Sequence, residues 1–206
     1  HVAENVDEVR WVAELFPQAR SYLDVYDRFG LLNQRAVLGH GIWIDDADRA
    51  LLHERGAQIA FCPSSNLFLG SGLFGWAAAQ DAGVAISVAS DVGGGNSLSM
   101  QRTLADAYKV QALAGTKLSA WDLLHAATRG AAQALRLGDE IGTLDAGSTA
   151  DLCVWDWANG PVAQRRQQVA QDLHEKVFAW VMIGDERGLV ESWVAGACRH
   201  RRTAAP

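Results

Sequence analysis

The sequence predicts an α/β protein in which buried parallel strands alternate with helices and curve toward a (β/α)8, TIM-type barrel, followed by part of a small β domain. Three observations carry that expectation. Apolar runs at 35–40, 57–61 and 84–89 are bounded by turn residues and separated by helical periodicity, as strands buried on both faces are. His40 and Asp91 stand at the C-terminal ends of two of these runs, the end where a barrel gathers its active site. No GxxxxGK with a following Ser or Thr occurs, and no GxGxxG comes directly after any run, so an open nucleotide-binding sheet has nothing at its strand ends to hold a phosphate.

Taken in order, Val6, Val9, Val12, Ala13 and Phe16 recur at intervals of three or four over 4–16 and share one helical face, and Pro17 ends that helix. A second short helix is expected over 22–29, before Gly30. The run 35–40 is the first strand. Asp45 or Asp46 caps the next helix, which ends near Arg55 with Gly56 as its stop. Residues 57–61 form the second strand, 62–72 a loop, and 73–82 a helix closed by Gly83. The third strand, 84–89, runs into Ser90, Asp91 and a triple-glycine turn. Helical periodicity resumes over 98–114 and 120–137, the latter with Ser119 as its cap. Beyond Asp139 the pattern changes to a turn at 142–147 and strands over 150–157 and 190–199. Residues 1–138 are therefore expected to form the barrel part, and 139–206 to contribute to the small β domain with a helical insertion.

Composition narrows the function classes. With 206 residues, 49% of them hydrophobic and 20% charged, the chain matches an ordinary globular protein and neither disorder nor collagen-like repetition. Twenty-four acidic against 18 basic side chains leave a net charge of -6. That balance argues against tracking a phosphate backbone, so no nucleic-acid partner is expected. The longest strongly apolar stretch, 177–183, is far short of the ~20 residues that span a bilayer. No basic-then-apolar leader opens the chain, and no membrane partner is expected. Cys62, Cys153 and Cys198 are odd in number and widely spaced, which fits neither a disulfide framework nor a zinc ribbon; the expectation is a cytoplasmic protein.

The residues that bear catalytic chemistry are His1 with Glu4, His40, and Asp91. Imidazole nitrogens and a carboxylate are the ligands a catalytic zinc prefers, with one position left for a water whose pKa the ion depresses to ~7. A Glu three residues beyond a ligand His can lean over that water and shuttle its proton. Spacing alone does not separate these residues from structural ones. Lone histidines usually pack or face solvent, a chain end such as His1 commonly frays, and Asp91 ahead of three glycines can simply shape a turn.

At these residues the sequence resembles the metal-dependent amidohydrolases and, within them, the guanine deaminases. His1-Val-Ala-Glu4-Asn-Val-Asp-Glu-Val resembles the HxxEN segment after barrel strand five. Leu38-Gly-His40-Gly resembles the strand-six histidine segment. Ser90-Asp91-Val-Gly-Gly-Gly95-Asn-Ser-Leu-Ser-Met100 is similar to the strand-eight segment, and the part from Asp91 to Met100 is specific to the subfamily. Cys62-Pro-Ser-Ser-Asn66-Leu-Phe-Leu-Gly-Ser-Gly72 resembles the loop after strand seven. Gly142-Thr-Leu-Asp-Ala-Gly147-Ser-Thr-Ala-Asp151 resembles the entry into the family's small β domain. Five motifs stand in the right order over nearly the whole chain.

The resemblance implies hydrolysis of the exocyclic amine of guanine to give xanthine and ammonia, a step of purine catabolism. It implies one zinc per subunit, with ferrous iron as the alternative, held by His1 and Asp91. Glu4 would deliver protons to the ring nitrogen and the leaving group, Asp91 would take the proton of the attacking water, and His40 would stabilise the developing oxygen. His1, Glu4 and Asp91 would also contact the substrate. A small-molecule purine is thus the expected partner, and a homodimer the expected assembly. Hydrolysis of another aminated or chlorinated heterocycle is the alternative, and an inactive fragment is a second. The HxH pair of strand one and strands one to four are absent from these residues, so the chain is expected to be the C-terminal part of a barrel. Alone it is expected to be poorly soluble or associated, to bind zinc weakly and to release no ammonia. Phe61 stands where the family carries His, which is expected to remove a polar contact near the mouth. Asp7 reads as a first-turn acid, and His53, His125, His174 and His200 as structural or solvent-facing. The cysteines read as small buried apolar groups, and the eight tryptophans as core and interface.

Overall fold

The computed structural model describes residues 1–203. Two helices, α1 (Val6–Leu15) and α2 (Tyr22–Arg28), lead into β1 (Val37–Gly39), α3 (Asp46–Arg55) and β2 (Gln58–Phe61). Next come α4 (Pro63–Leu69), α5 (Trp76–Asp81), β3 (Ala85–Val88), and three helices in series, α6 (Met100–Leu113), α7 (Ala120–Ala127) and α8 (Arg129–Ala134). The strands form one parallel sheet in the order β1-β2-β3, with Leu38 opposite Ile59 and Ile59 opposite Ile86. Alternation along the strands sorts the two faces. Leu38, Ile59, Phe61 and Val88 enter the core with Leu52 of α3, Ala79 of α5, Leu104 of α6 and Leu123 of α7. Gly39, Gln58, Ala60 and Ser87 make the opposite face small and polar, and there the Ser87 hydroxyl donates to Gln58 Oε1 at 3.1 Å.

The sequence expectations hold for the three parallel strands and fail at particular joints. Asp45 caps α3 in a reciprocal box with Asp48, and Gly56 closes the helix in the left-handed conformation. Residues 62–72, expected as a loop, contain α4. Pro63 pre-sets its first turn, and Gly70 ends it with φ of 69°, so a Ser-rich stretch with loop composition folds as a helix between two backbone specialists. The helix expected over 120–137 breaks at Thr128, whose φ and ψ are -132° and -101°. There α8 folds back so closely that a Cβ at Gly130 would stand 2.7 Å from the His125 ring. The apolar stripe of α1 predicted the helix but not its burial, because none of its residues is buried.

The C-terminal segment holds β4 (Leu152–Trp155), α9 (Pro161–Val169), α10 (Leu173–Ile183), a 3₁₀ turn (Glu186–Gly188), β5 (Leu189–Val194) and β6 (Ala197–Arg201). Its strands form an antiparallel sheet in the order β4-β5-β6. The run 190–199, read as one strand, is a hairpin. Ala195 and Gly196, with φ of 50° and 74°, make a two-residue turn of the kind whose twist matches its strands. α10 returns to α6 through Tyr108 and Phe178, whose rings meet edge to face at 4.9 Å. Among the described residues, no helix is long and apolar enough to cross a membrane.

Candidate active site

The segment before α1 is stitched to the end of β1. Val2 bridges His40 in parallel, donating to Gly39 O at 3.2 Å and accepting from Gly41 N at 3.0 Å. The Ala3 carbonyl accepts from the backbones of Ile42 and Trp43, and the Tyr26 hydroxyl donates to His1 O at 2.7 Å. His1 is therefore held rather than frayed, and its ring meets that of His40 edge to face at 5.1 Å. Ala3, His40 and Asp91 carry φ of 45°, 73° and 46°. Left-handed backbone at a non-glycine residue is uncommon and gathers where function demands it.

His40 is the hub. Its ring is buried at 1% exposure, and Nδ1 lies 2.9 Å from Asn66 Oδ1. Nε2 has no hydrogen-bond partner, yet Glu4 Oε2 stands 3.6 Å away and Asp91 Oδ2 3.8 Å. The other oxygen of Glu4 accepts from the Ser71 hydroxyl at 2.9 Å, and Trp43 Nε1 donates to the Ser71 carbonyl at 3.0 Å. Asp91 heads the glycine turn beyond β3. A Cβ at Gly94 would stand 2.6 Å from Ser65 Oγ and 3.4 Å from Asp91 Oδ2, so a glycine lets this turn close over the site. Burial pushes the thiol of Cys62 up to about 12, and the charge of Asp91 adds to that effect.

Two donor groups with metal-binding spacing overlap here. Ligand atoms of His1, Glu4 and His40 lie within 4.8 Å of one another, and so do those of His40, Cys62 and Asp91. Imidazole nitrogen and carboxylate oxygen suit zinc, and a buried imidazole nitrogen without a partner is the kind of atom an ion would satisfy. The donors present thus fit a metal. His1 and Asp91 fall in different groups, joined through His40.

A sequence profile of the amidohydrolase family matches residues 1–188. The chain belongs to the amidohydrolase family. It is 38% identical to the guanine deaminase of Escherichia coli over 202 residues, which is 98% of this chain and 46% of that protein. The solved structure of E. coli guanine deaminase superposes with a TM-score of 0.96 at 37% identity, covering 98% of this chain and 48% of that one. A guanine deaminase from C. acetobutylicum with guanine bound in its active site gives 0.85 at 25% identity, over 96% of this chain and 47% of that one. An adenosine deaminase from Xanthomonas campestris with bound zinc gives 0.82 at 29% identity, over 97% and 44%. The chain spans about half the length of the curated relatives it matches, 46% of the E. coli protein.

The structure brings together all four residues expected from sequence: His1, Glu4, His40 and Asp91. Sequence reasoning assigned no role to Asn66 or Ser71, although both lie in a segment quoted for its resemblance. A polar residue buried just past a strand end was the available signal. Cys62 is buried as expected, but beside the metal donors, whereas Cys153 and Cys198 are exposed. Phe61 does not face the mouth. It is fully buried in the core cluster and stacks on Phe74 at 5.0 Å, so it extends the apolar core. Trp11, Trp43 and Trp121 are exposed rather than core. Of the histidines read as structural, His53 Nδ1 meets Gly83 O at 3.0 Å, and His174 Nε2 accepts from Ala120 N at 3.3 Å.

Proposed function

We propose that the protein carrying this sequence hydrolyses the exocyclic amine of guanine, yielding xanthine and ammonia. The observation that carries this reading is the convergence of two carboxylates, Glu4 and Asp91, on the unpartnered Nε2 of one buried histidine. The guanine deaminases it resembles supply the substrate class. His1 and Asp91 would hold the metal, zinc by the chemistry of the donors, with His40 between them. A bound zinc supplies Lewis acidity and makes water nucleophilic near neutral pH.

The residues of this chain do the rest. Asp91 Oδ2 takes the proton of the attacking water. Glu4, steadied at Oε1 by Ser71, passes protons from Oε2 to the ring nitrogen and then to the departing amine. His40 Nε2 hydrogen-bonds the oxygen that develops at the attacked carbon. Each guanine hydrolysed thus takes the water's oxygen at the attacked carbon, one of its hydrogens on the ring nitrogen and the other on the departing ammonia. We read β1, β2 and β3 as strands six to eight of a barrel, residues 1–138 as its C-terminal part and 139–206 as part of the small β domain. A cytoplasmic homodimer belongs to the same reading, and light scattering tests the dimer. The deciding experiment is ammonia release by the zinc-loaded, full-length protein from guanine in competition with adenosine, adenine and a chlorotriazine. Preference for guanine supports the reading; preference for a triazine or for adenosine overturns it.

A further inference from the structure

We infer that Trp43 is a positioning residue for Glu4, acting through Ser71; this rests on reading the site as hydrolytic and deepens that reading. A glutamate side chain turns about several bonds, and a proton carrier has to be held in one of its rotamers. Here the Ser71 hydroxyl makes that choice. It donates to Glu4 Oε1 at 2.9 Å and leaves Oε2 facing His40. The place of that hydroxyl therefore sets the place of the carboxylate. Ser71 lies between α4 and α5, outside any helix or strand. Behind it, its N–H donates to the Asn66 carbonyl at 2.9 Å, which ties it to the end of α4.

Trp43 supplies the tie in front. An indole N–H has a hydrogen to give and no lone pair, so it can only donate, and it donates to the Ser71 carbonyl at 3.0 Å. The backbone N–H of the same residue donates to the Ala3 carbonyl at 3.0 Å, one residue before Glu4. Trp43 thus sets the distance between the main chain that carries Glu4 and the hydroxyl that holds its carboxylate. Gly72 lets this contact form. Its φ is 134°, and a Cβ there would stand 3.0 Å from Ile42 Cγ2 and 3.3 Å from Trp43 Cζ2, so a bare backbone is what lies against the ring. Trp43 is 48% exposed, whereas Ser71 is 6% exposed. Core packing does not account for a tryptophan at this position, and its bond to Ser71 does.

The test uses the zinc-loaded, full-length protein. Trp43→Phe keeps a ring and removes its donor. Ser71→Ala removes the hydroxyl and keeps the carbonyl, so the bond from the indole survives in it. Trp43→Phe is expected to lower kcat for ammonia release from guanine by roughly 10-fold, and Ser71→Ala by up to ~100-fold, with zinc content unchanged in both. In the Ser71→Ala background, Trp43→Phe is expected to change kcat by less than about twofold, while it lowers the melting temperature as much as it does in the wild type. An equal loss of kcat in both backgrounds would make Trp43 merely structural and overturn the inference, as would wild-type kcat in either single variant. If Trp43→Phe does not fold, Trp43→Met takes its place with the same outcomes. A wild-type protein that releases no ammonia from guanine overturns the functional reading instead. The role of Trp43 is then decided by a crystal structure of the Trp43→Phe protein: Glu4 Oε1 displaced from Ser71 Oγ supports it, and an unmoved carboxylate overturns it.

Discussion

Glu4 and Asp91 both lean toward His40, and the proposed function gives them different work. Glu4 is steadied by Ser71 on one oxygen and free on the other, which suits a proton carrier. Both stand in donor groups, Glu4 with His1 and His40 and Asp91 with His40 and Cys62, and on the proposed reading Asp91 is the ligand. Glu4→Gln is therefore expected to keep the zinc content measured by atomic absorption while ammonia release falls ~100 to 10,000-fold. Asp91→Ala is expected to lose both. A Glu4→Gln protein without zinc would make Glu4 a ligand, and an active, zinc-loaded Asp91→Ala protein would remove Asp91 from the site. The cysteines differ as sharply. Alkylation needs the thiolate, and burial holds the Cys62 thiol up at about 12, while Cys153 and Cys198 are exposed. Mass spectrometry after iodoacetamide treatment at mildly alkaline pH is expected to find Cys153 and Cys198 labelled and Cys62 spared until the protein is denatured. Early labelling of Cys62 would mean that its wall opens.

At the scale of elements, the turn after β3 and the helix after β2 form one assembly. Gly94 lies against Ser65 and Leu69 of α4 and against Asp91, all within 3.4 Å of where a Cβ would sit. Gly94→Ala must push that turn away from α4 and carry Asp91 with it. Misplacement of a reacting group by about an ångström costs on the order of 100-fold in rate, so the variant is expected to lose activity by that order. Its melting temperature should change little, since no φ of the left-handed kind is involved at this position. Wild-type kinetics for Gly94→Ala would show that the turn yields elsewhere. The strands and the capped ends of α3 were legible in the sequence because they depend on nearest neighbours: apolar runs, Asp45, Gly56. The break at Thr128 was not, because it depends on Gly130 meeting His125 across two helices, a contact that helical periodicity does not encode.

Over the whole molecule, the parallel sheet has three strands, and β3 pairs only with β2 among the described residues. Large apolar side chains stand exposed around it, Phe68 at 69% and Leu98 at 77%. An unpaired strand edge and exposed apolar surface both favour association. A polypeptide of these 206 residues alone is therefore expected to run as oligomers or aggregates in size exclusion with light scattering, and to hold zinc poorly. A monodisperse, zinc-loaded species would show that the sheet edge and the donor set are sufficient as they stand.

Sequence alone determined the alternation of strands and helices, the placement of His40 and Asp91 at strand ends, and the motifs that join this chain to the amidohydrolases. Each of these is written in local order: apolar period, turn residues and the spacing of donors. Only the tertiary structure decided that His1 is stitched beside His40, that Phe61 belongs to the core, and that Asn66 and Ser71 meet the side chains of His40 and Glu4. Those facts depend on contacts between residues 26 and 67 positions apart in the chain and on which face of β2 each side chain takes. The pairing of Asn66 with His40 joins α4 to the residue that follows β1, and no local pattern reaches across that distance.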